Sequence, residues 1–408
     1  MTPTDTASSK WETKALVDLV TIKSGQVDPR SPSYRDLPLI APDHLEPHTG
    51  RLLDKESAKE QGAISGKYLV EPGDIIYSKI RPYLRKACKC DFVALCSADM
   101  YPLSPRPGVS GSFILHSILD RRFTEFAVSV SARSGIPKIN RIELSEYTMA
   151  VPPPEEQASI GQVLDDADDY ICALERLITK SQAIKQGMMQ ELLTGRTRLP
   201  GFAGKWSEVT AGDIGTFKGG SGFPLVFQGA ETGKFPFFKV SDMNTESNEL
   251  FMNRANNYVS ETQRKQMAAL VMPSGAIVFA KVGAAVFLER KRILTLPSCI
   301  DNNMAAFILD TSRADIRFIH YVLCSFRMGS LVATGALPSL NGRQLRSIPI
   351  ALPDQLSEQQ AIARALADAD LEIDALQRRI TKARAIKQGM MQELLTGRTR
   401  LPVQEAVA

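Results

Sequence analysis

Long apolar runs are missing from this sequence of 408 residues. The longest, Ala276–Leu288, is broken by Lys281 and is too short to cross a bilayer. The opening stretch, MTPTDTASSKWE, has no apolar core of the kind a secretory leader needs. A membrane role is therefore excluded and a cytoplasmic location expected. Histidine is scarce too, and the four present (His44, His48, His116, His320) form no pair at metal spacing on a helix. The six cysteines (Cys88, Cys90, Cys96, Cys172, Cys299, Cys324) are expected to be reduced thiols in a cytoplasmic chain. Cys88-x-Cys90 with Cys96 has neither the spacing nor the histidine of a zinc site, so no metal is expected.

Catalytic signatures are equally thin. Gly62–Tyr68 (GAISGKY) is one residue short of a phosphate-binding loop and has Tyr68 where Ser or Thr would hold magnesium. Lys218–Gly222 (KGGSG) fits neither the dinucleotide fingerprint nor a nucleophile elbow. Val151–Glu155 (VPPPE) lacks the Asn/Asp-Pro-Pro-aromatic signature of amino-methyltransferases. These absences describe a binder rather than an enzyme, with no catalytic residue and no cofactor of its own.

What the chain does have is a repeat. Ala183–Pro200 (AIKQGMMQELLTGRTRLP) recurs letter for letter as Ala385–Pro402, displaced by 202 residues, half the chain. Widening the window to Ile178 and Ile380 adds only two mismatches, Ser181 against Ala383 and Gln182 against Arg384. A weaker match runs through both halves. Lys10-Trp11 answers Lys205-Trp206, Asp18–Gly25 answers Asp213–Gly220, and Pro38–Asp43 answers Pro236–Asp242 as an extended segment. Pro72–Lys79 answers Pro273–Lys281, a Pro/Gly turn feeding a β-branched and aromatic strand that ends in lysine. Helix-like stretches follow at Phe113–Ala132 and Asp315–Ala333, then polar loops at Gly135–Asn140 and Gly335–Asn341. The pattern predicts two α+β domains, 1–153 and 203–352, each followed by a repeat helix, 154–202 and 353–408.

Each helix has its own start and stop signals. The first should begin after Pro152-Pro-Pro, with Glu155 and Glu156 at its positive end; the second should begin near Ser357, where Ser357-x-x-Gln360 has the form of a capping box. Apolar residues recur at alternating four and three spacing as Ile160, Leu164, Ala167, Ile171, Leu174, Ile178 and as Ile362, Leu366, Ala369, Ile373, Leu376, Ile380. That is a coiled-coil seam. Gly195 and Gly397 should end the helices. If the first helix carries the chain from one domain to the other, the second must return beside it, so an antiparallel pair with the domains at opposite ends and a pseudo-two-fold relation is expected.

Charge separates domains from helices. Net charge is +2 for 1–153 and +5 for 203–352, against −3 and 0 for the helical segments. Modest positive bias suits a polyanion. Within the domains, cations cluster in loops. The candidates for contact with DNA are Lys23, Lys79, Arg81, Tyr83, Arg85, Lys86, Lys138 and Asn140 in the first domain. In the second they are Lys218, Lys281, Arg290, Lys291, Arg292, Asn341 and Arg343. Lysine and arginine can neutralise phosphates; Arg, Asn and Gln can read base edges. The identical helical block instead suggests a duplicated partner-docking surface. Gly187, Met188, Met189 and Leu192, with Gly389, Met390, Met391 and Leu394, combine mid-helix glycine and adaptable apolar contacts.

With the two PxxEQxxI/LSEQxxI helix starts (Gln157-x-x-Ile160, Gln359-x-x-Ile362), the LLTGR ends and the Gly73-Asp-Ile-Ile-x-Ser-Lys79 strand, the whole chain resembles the specificity subunit of a Type I DNA restriction–modification enzyme. The resemblance implies two target-recognition domains, each reading one half of a bipartite asymmetric site in double-stranded DNA. It implies an antiparallel coiled coil that sets the spacer and docks two methyltransferase subunits, which use S-adenosylmethionine to methylate adenine N6. Restriction and translocase subunits complete such an enzyme. The second domain departs at Lys281-Val-Gly283-Ala-Ala, which lacks the Arg81-Pro-Tyr83 run. Two other readings compete: a coiled-coil adaptor that scaffolds proteins without touching DNA, and a DNA mimic, which the positive charge of both domains opposes.

Overall fold

The computed structural model describes residues 11–53, 55–131, 135–332 and 338–401. It divides into two units, one made from residues 1–177 with 376–408 and the other from 178–375. Each unit holds one α+β domain with the start of one long helix and the end of the other. The helices are Pro154–Leu192 and Leu356–Leu394, 39 residues each and so about 58 Å long at 1.5 Å per residue.

In the first unit a four-stranded antiparallel sheet has the order Val20–Ile22, Met100–Pro105, Ile75–Ser78, Ala87–Lys89. In the second the corresponding order is Gly215–Gly219, Met304–Leu309, Ile277–Ala280, Lys291–Leu294, with Phe251–Met252 added in parallel at the edge. The central strand is buried along its whole length in both units because both of its faces are covered. Ile75 and Tyr77 face a core that includes Phe113, Phe123 and Leu164, whereas Ile76 faces a smaller one with Cys88, Cys96 and Met100. Ile277, Phe279 and Val278 divide in the same way. A three-stranded sheet completes each domain, and here the halves differ. Leu39–Ile40 pairs in parallel with Ala94–Cys96, as Phe235–Phe238 does with Cys299–Ile300, but the third strand joins the later partner in the first unit and the earlier one in the second.

A short antiparallel ribbon closes each domain where the chain enters a long helix: Glu12–Ala15 with Thr148–Val151, and Trp206–Thr210 with Pro349–Pro353. Pro154 opens the first helix, where its missing N–H is no loss. The second helix opens at Leu356, so Ser357 lies inside the first turn and does not cap it. Gly195 and Gly397 follow the helix ends in the left-handed region, both at φ 70°. The expected single helix over Phe113–Ala132 is instead two, Gly111–Leu119 and Arg121–Val130. Asp120 breaks it by accepting the Arg122 amide as the cap of the second; Ala132 and Ala333 lie outside the described residues.

The seam is buried at Ile160, Leu164, Ile171 and Leu174 and at Ile362, Leu366, Ile373, Leu376 and Ile380. Within the first unit Asp168 pairs with Lys387 and Glu175 with Arg384, so numbers rise on one helix as they fall on the other and the pairing is antiparallel. Lys185 with Asp370, in the second unit, repeats the first of these pairs.

Candidate nucleic-acid interface

In the first domain the strand Ile75–Ser78 runs out into Lys79-Ile80-Arg81, and a single turn over Pro82–Leu84 brings the chain back through Arg85 and Lys86. The loop before Asn140 docks on it. The Arg81 amide donates to the Pro137 carbonyl (2.8 Å) and the Ile139 amide to the Lys79 carbonyl (2.9 Å). The second domain repeats both bonds, Gly283 to Pro338 (2.8 Å) and Leu340 to Lys281 (2.9 Å). Two loops far apart in sequence thus form one surface in each domain, on one backbone plan. The side chains differ, and Arg81 stands where Gly283 stands.

Arg81, Tyr83 and Lys138 are exposed on this surface in the first domain, as are Asn341 and Arg343 in the second; Lys218 is exposed on the edge strand Gly215–Gly219. Lys79 lies 5.2 Å above the Tyr101 ring, shared with Arg141 at 5.0 Å, and Lys281 is half-buried against Gly219. Arg141 was not among the sequence candidates; it is tied to the Ile22 and Lys23 carbonyls at the root of the loop. Asn140 and Asn341 spend their side-chain oxygens on the short helices that follow, at 2.9 Å to the Glu143 and Gln344 amides, and so position the loops.

Five cations are otherwise engaged. Lys291 is buried at 1 % exposure, with its ammonium on Glu289 and the Phe326 carbonyl (3.1 Å), so it is an internal charge and not a surface contact. Arg292 is half-buried and donates to the Lys291 carbonyl, and burial holds its guanidinium below the usual pKa. Arg290 is bonded to Asn244. Lys23 bridges Glu71 and Asp74, both at 2.7 Å. Lys86 donates to the Pro42 carbonyl at 2.5 Å, and Arg85 turns away from the loop surface into a cavity.

The identical helical block has an unexpected use. Met189 and Leu192 are buried in the second unit's core with Phe318, Leu352 and Ile362; Leu394 is buried in the first unit's core, with Met390 and Met391 packed beside it. Met188 is half-buried against the second unit's core. These residues therefore serve this chain's own packing, a correction to their reading as free docking contacts. Beyond them Arg400 makes a two-pronged bond to buried Glu156 (2.6 Å each) and lies 5.5 Å from the Trp11 ring, whose indole N–H also donates to Glu156 (3.1 Å). Arg198, Glu358 and Trp206 repeat the arrangement at 2.5 and 2.7 Å, 5.7 Å and 3.3 Å. Gly397 and Gly195 lie flat on those tryptophans, where a Cβ would come within 3.2 and 3.0 Å of the ring. The one sequence signal for this latch was the pairing of Lys10-Trp11 with Lys205-Trp206. Gly187 and Gly389, by contrast, have no atom within 4 Å of where a Cβ would sit.

At each helix start a buried glutamine clamps the domain. Gln157 accepts from the Ser110 amide (3.1 Å) and donates to the Pro152 carbonyl (2.9 Å); Gln359 does the same with Asp315 (2.7 Å) and Pro353 (2.9 Å). Among the described residues no group of three or more His, Cys, Asp and Glu side chains could hold a metal ion, and no helix is long and apolar enough to cross a membrane.

Residues 8–186 and 203–384 match the family described as the Type I restriction modification DNA specificity domain. The specificity subunit of the Type I restriction enzyme EcoDI from Escherichia coli is 34% identical over 154 residues, 38% of this chain and 34% of the relative, so that match spans about a third of the relative's length. The MjaVIII specificity subunit of Methanocaldococcus jannaschii is 24% identical over 293 residues, 68% of each chain. Among solved structures, one concerned with complex assembly and conformational transition of the type I R-M system superposes with a TM-score of 0.60 at 17% identity, covering 96% of this chain and 99% of that one. The S subunit from M. genitalium gives 0.59 at 15% identity over 97% and 99%. These two likenesses concern the fold.

Proposed function

The chain belongs to the Type I restriction modification DNA specificity family, and we propose that it reads a bipartite asymmetric sequence in double-stranded DNA, one half with each domain. The observation that carries this reading is the loop surface built twice on the same hydrogen bonds but furnished differently, with Arg81 and Tyr83 on one and Gly283 with Arg343 on the other. A repeated scaffold with unlike side chains suits two unlike half-sites, because phosphate contacts hold register while base-edge contacts carry sequence. The paired helices act as the spacer between half-sites. Two methyltransferase subunits dock on the helices around Gly187 and Gly389, supply S-adenosylmethionine and methylate adenine N6, and restriction subunits join them in the cytoplasm. The chain itself is non-catalytic.

Co-expression with a cognate methyltransferase subunit, followed by mapping of methylated adenines across a genome, tests this. A two-part motif with a constant gap is expected. Assembly without any such motif would instead favour a protein scaffold that leaves DNA alone.

A further inference from the structure

A cavity of about 400 Å³ lies in the first unit where the domain meets the end of the second long helix. Five permanent cations line it, namely Arg51, Arg85, Arg121, Arg384 and Lys387, together with His48, against two carboxylates, Asp120 and Asp168. Several of these cations are matched already. Arg51 and Arg384 share Glu175 (2.5 and 2.7 Å), Lys387 sits on Asp168, and Arg121 sits on Glu125. Arg85 is not matched in this way, and its guanidinium Nε is buried with no hydrogen-bond partner. A buried polar group left unpaired is unfavourable, the more so when charged, and so points to a missing acceptor.

Two further observations converge on the same place. His48 and Arg85 both hold left-handed backbone, at φ 68° and 49°, a conformation disfavoured for a non-glycine residue. Burial, and second the charge of Arg85, lower the His48 pKa, so the two side chains are close enough to feel each other. Arg384 is also one of only two residues in the second repeat block, Ile380–Pro402, that differ from their counterparts in Ile178–Pro200. Its counterpart is Gln182, and that of Glu175 is Gln377. The charge of this wall is therefore peculiar to one half of a duplicated chain.

We infer that this cavity is a phosphate-binding site centred on Arg85 and His48, filled by a phosphoryl group of a free nucleotide or of a DNA strand. The Arg85 guanidinium donates to a phosphate oxygen, and protonated His48 becomes a second donor. Arg384 adds positive charge from the helix and Arg51 from the domain. The second of these sources rests on the DNA-binding reading; the first does not.

The test uses the full chain and inorganic phosphate, read by the ring protons of its four histidines. Phosphate is expected to shift His48 saturably and raise its pKa while His116 and His320 stay still. Arg85→Gln is expected to weaken binding about tenfold or more, the loss of one charged hydrogen bond. Arg384→Gln, which installs the amide already present at the same helix position in the other half, is expected to weaken it less and serves if Arg85→Gln does not fold. A His48 response that never saturates, or that survives both substitutions, overturns the inference. Adding duplex DNA or a mononucleotide then separates the sources. Displacement of phosphate by duplex identifies a strand phosphate, and displacement by the mononucleotide alone identifies a free nucleotide; displacement by neither overturns the site. None of these readouts depends on methylation, so failure here leaves the proposed half-site reading intact.

Discussion

Arg81 is the residue whose backbone and side chain pull in opposite directions. Its φ of 49° belongs to the left-handed region, and the same point of the second domain is Gly283 at φ 79°. An exposed arginine in that conformation is tolerated at about 1–2 kcal/mol, which makes sense if the guanidinium is needed on the loop surface. Arg81→Gly should therefore leave the thermal midpoint unchanged or slightly higher while lowering DNA affinity by about 1–3 kcal/mol if a base is read. A drop that is uniform across DNA sequences would assign it to phosphate. His320 gives a second prediction at this scale. Burial first, against the hydrogen bond to the Lys291 carbonyl and with the charges of Arg317 and Arg292, holds its imidazole down to about 4. Between about pH 6.5 and 4 the unfolded chain binds a proton that the folded chain refuses, so stability falls as pH falls, by about 3 kcal/mol from this group. The stability difference between wild type and His320→Gln should narrow over that window when melting is followed from pH 7 to 4.5; a constant difference would contradict it.

At the scale of elements, the Trp–Glu–Arg latch ties each helix end to the start of the other helix. Glu156 and Glu358 are buried at 1 and 0 % exposure, so removing their arginine leaves a carboxylate without its charge partner. Arg400→Ala or Arg198→Ala should each lower unfolding stability in denaturant titrations, because a buried carboxylate loses its partner, and lysine should rescue poorly because it cannot form the two-pronged bond. Gly187→Ala and Gly389→Ala should do the opposite, each raising stability by up to about 1 kcal/mol. Lost assembly with methyltransferase subunits in the same variants, seen by size-exclusion chromatography, would mark these glycines as the docking points. Much of this level was legible in the sequence. Heptad spacing found the seam, and the Pro/Gly turns before Lys79 and Lys281 found the central strands, because local periodicity records which face is buried. The use of the identical block was not legible. Met189, Leu192 and Leu394 have the composition of a docking surface and of a core alike, and only the fold says which. Lys291 was misread for the same reason, since Arg290-Lys291-Arg292 looks like a surface run until the strand turns its middle residue inward. Gly161, where a Cβ would meet Ser112 at 2.8 Å, is a close packing point that no spacing rule exposed.

At the scale of the whole molecule, modularity is the property to test. Exchanging residues 1–150 for another domain of this family should change one half of the methylated motif and leave the other as it was; a change in both halves would contradict independent reading. Inserting one heptad into each long helix should lengthen the gap between the halves, and an unchanged gap would deny the helices their role as spacer. The division into units carries one more consequence. The second unit is a single unbroken stretch, 178–375, whereas the first needs residues from both sides of it. A ribosome therefore delivers everything the later domain requires before it delivers Leu394 and Arg400, which finish the earlier one. Vectorial synthesis usually lets the domain made first mature first; here the earlier domain is expected to complete its core only once Leu394 and Arg400 have emerged, after the later unit has all of its residues.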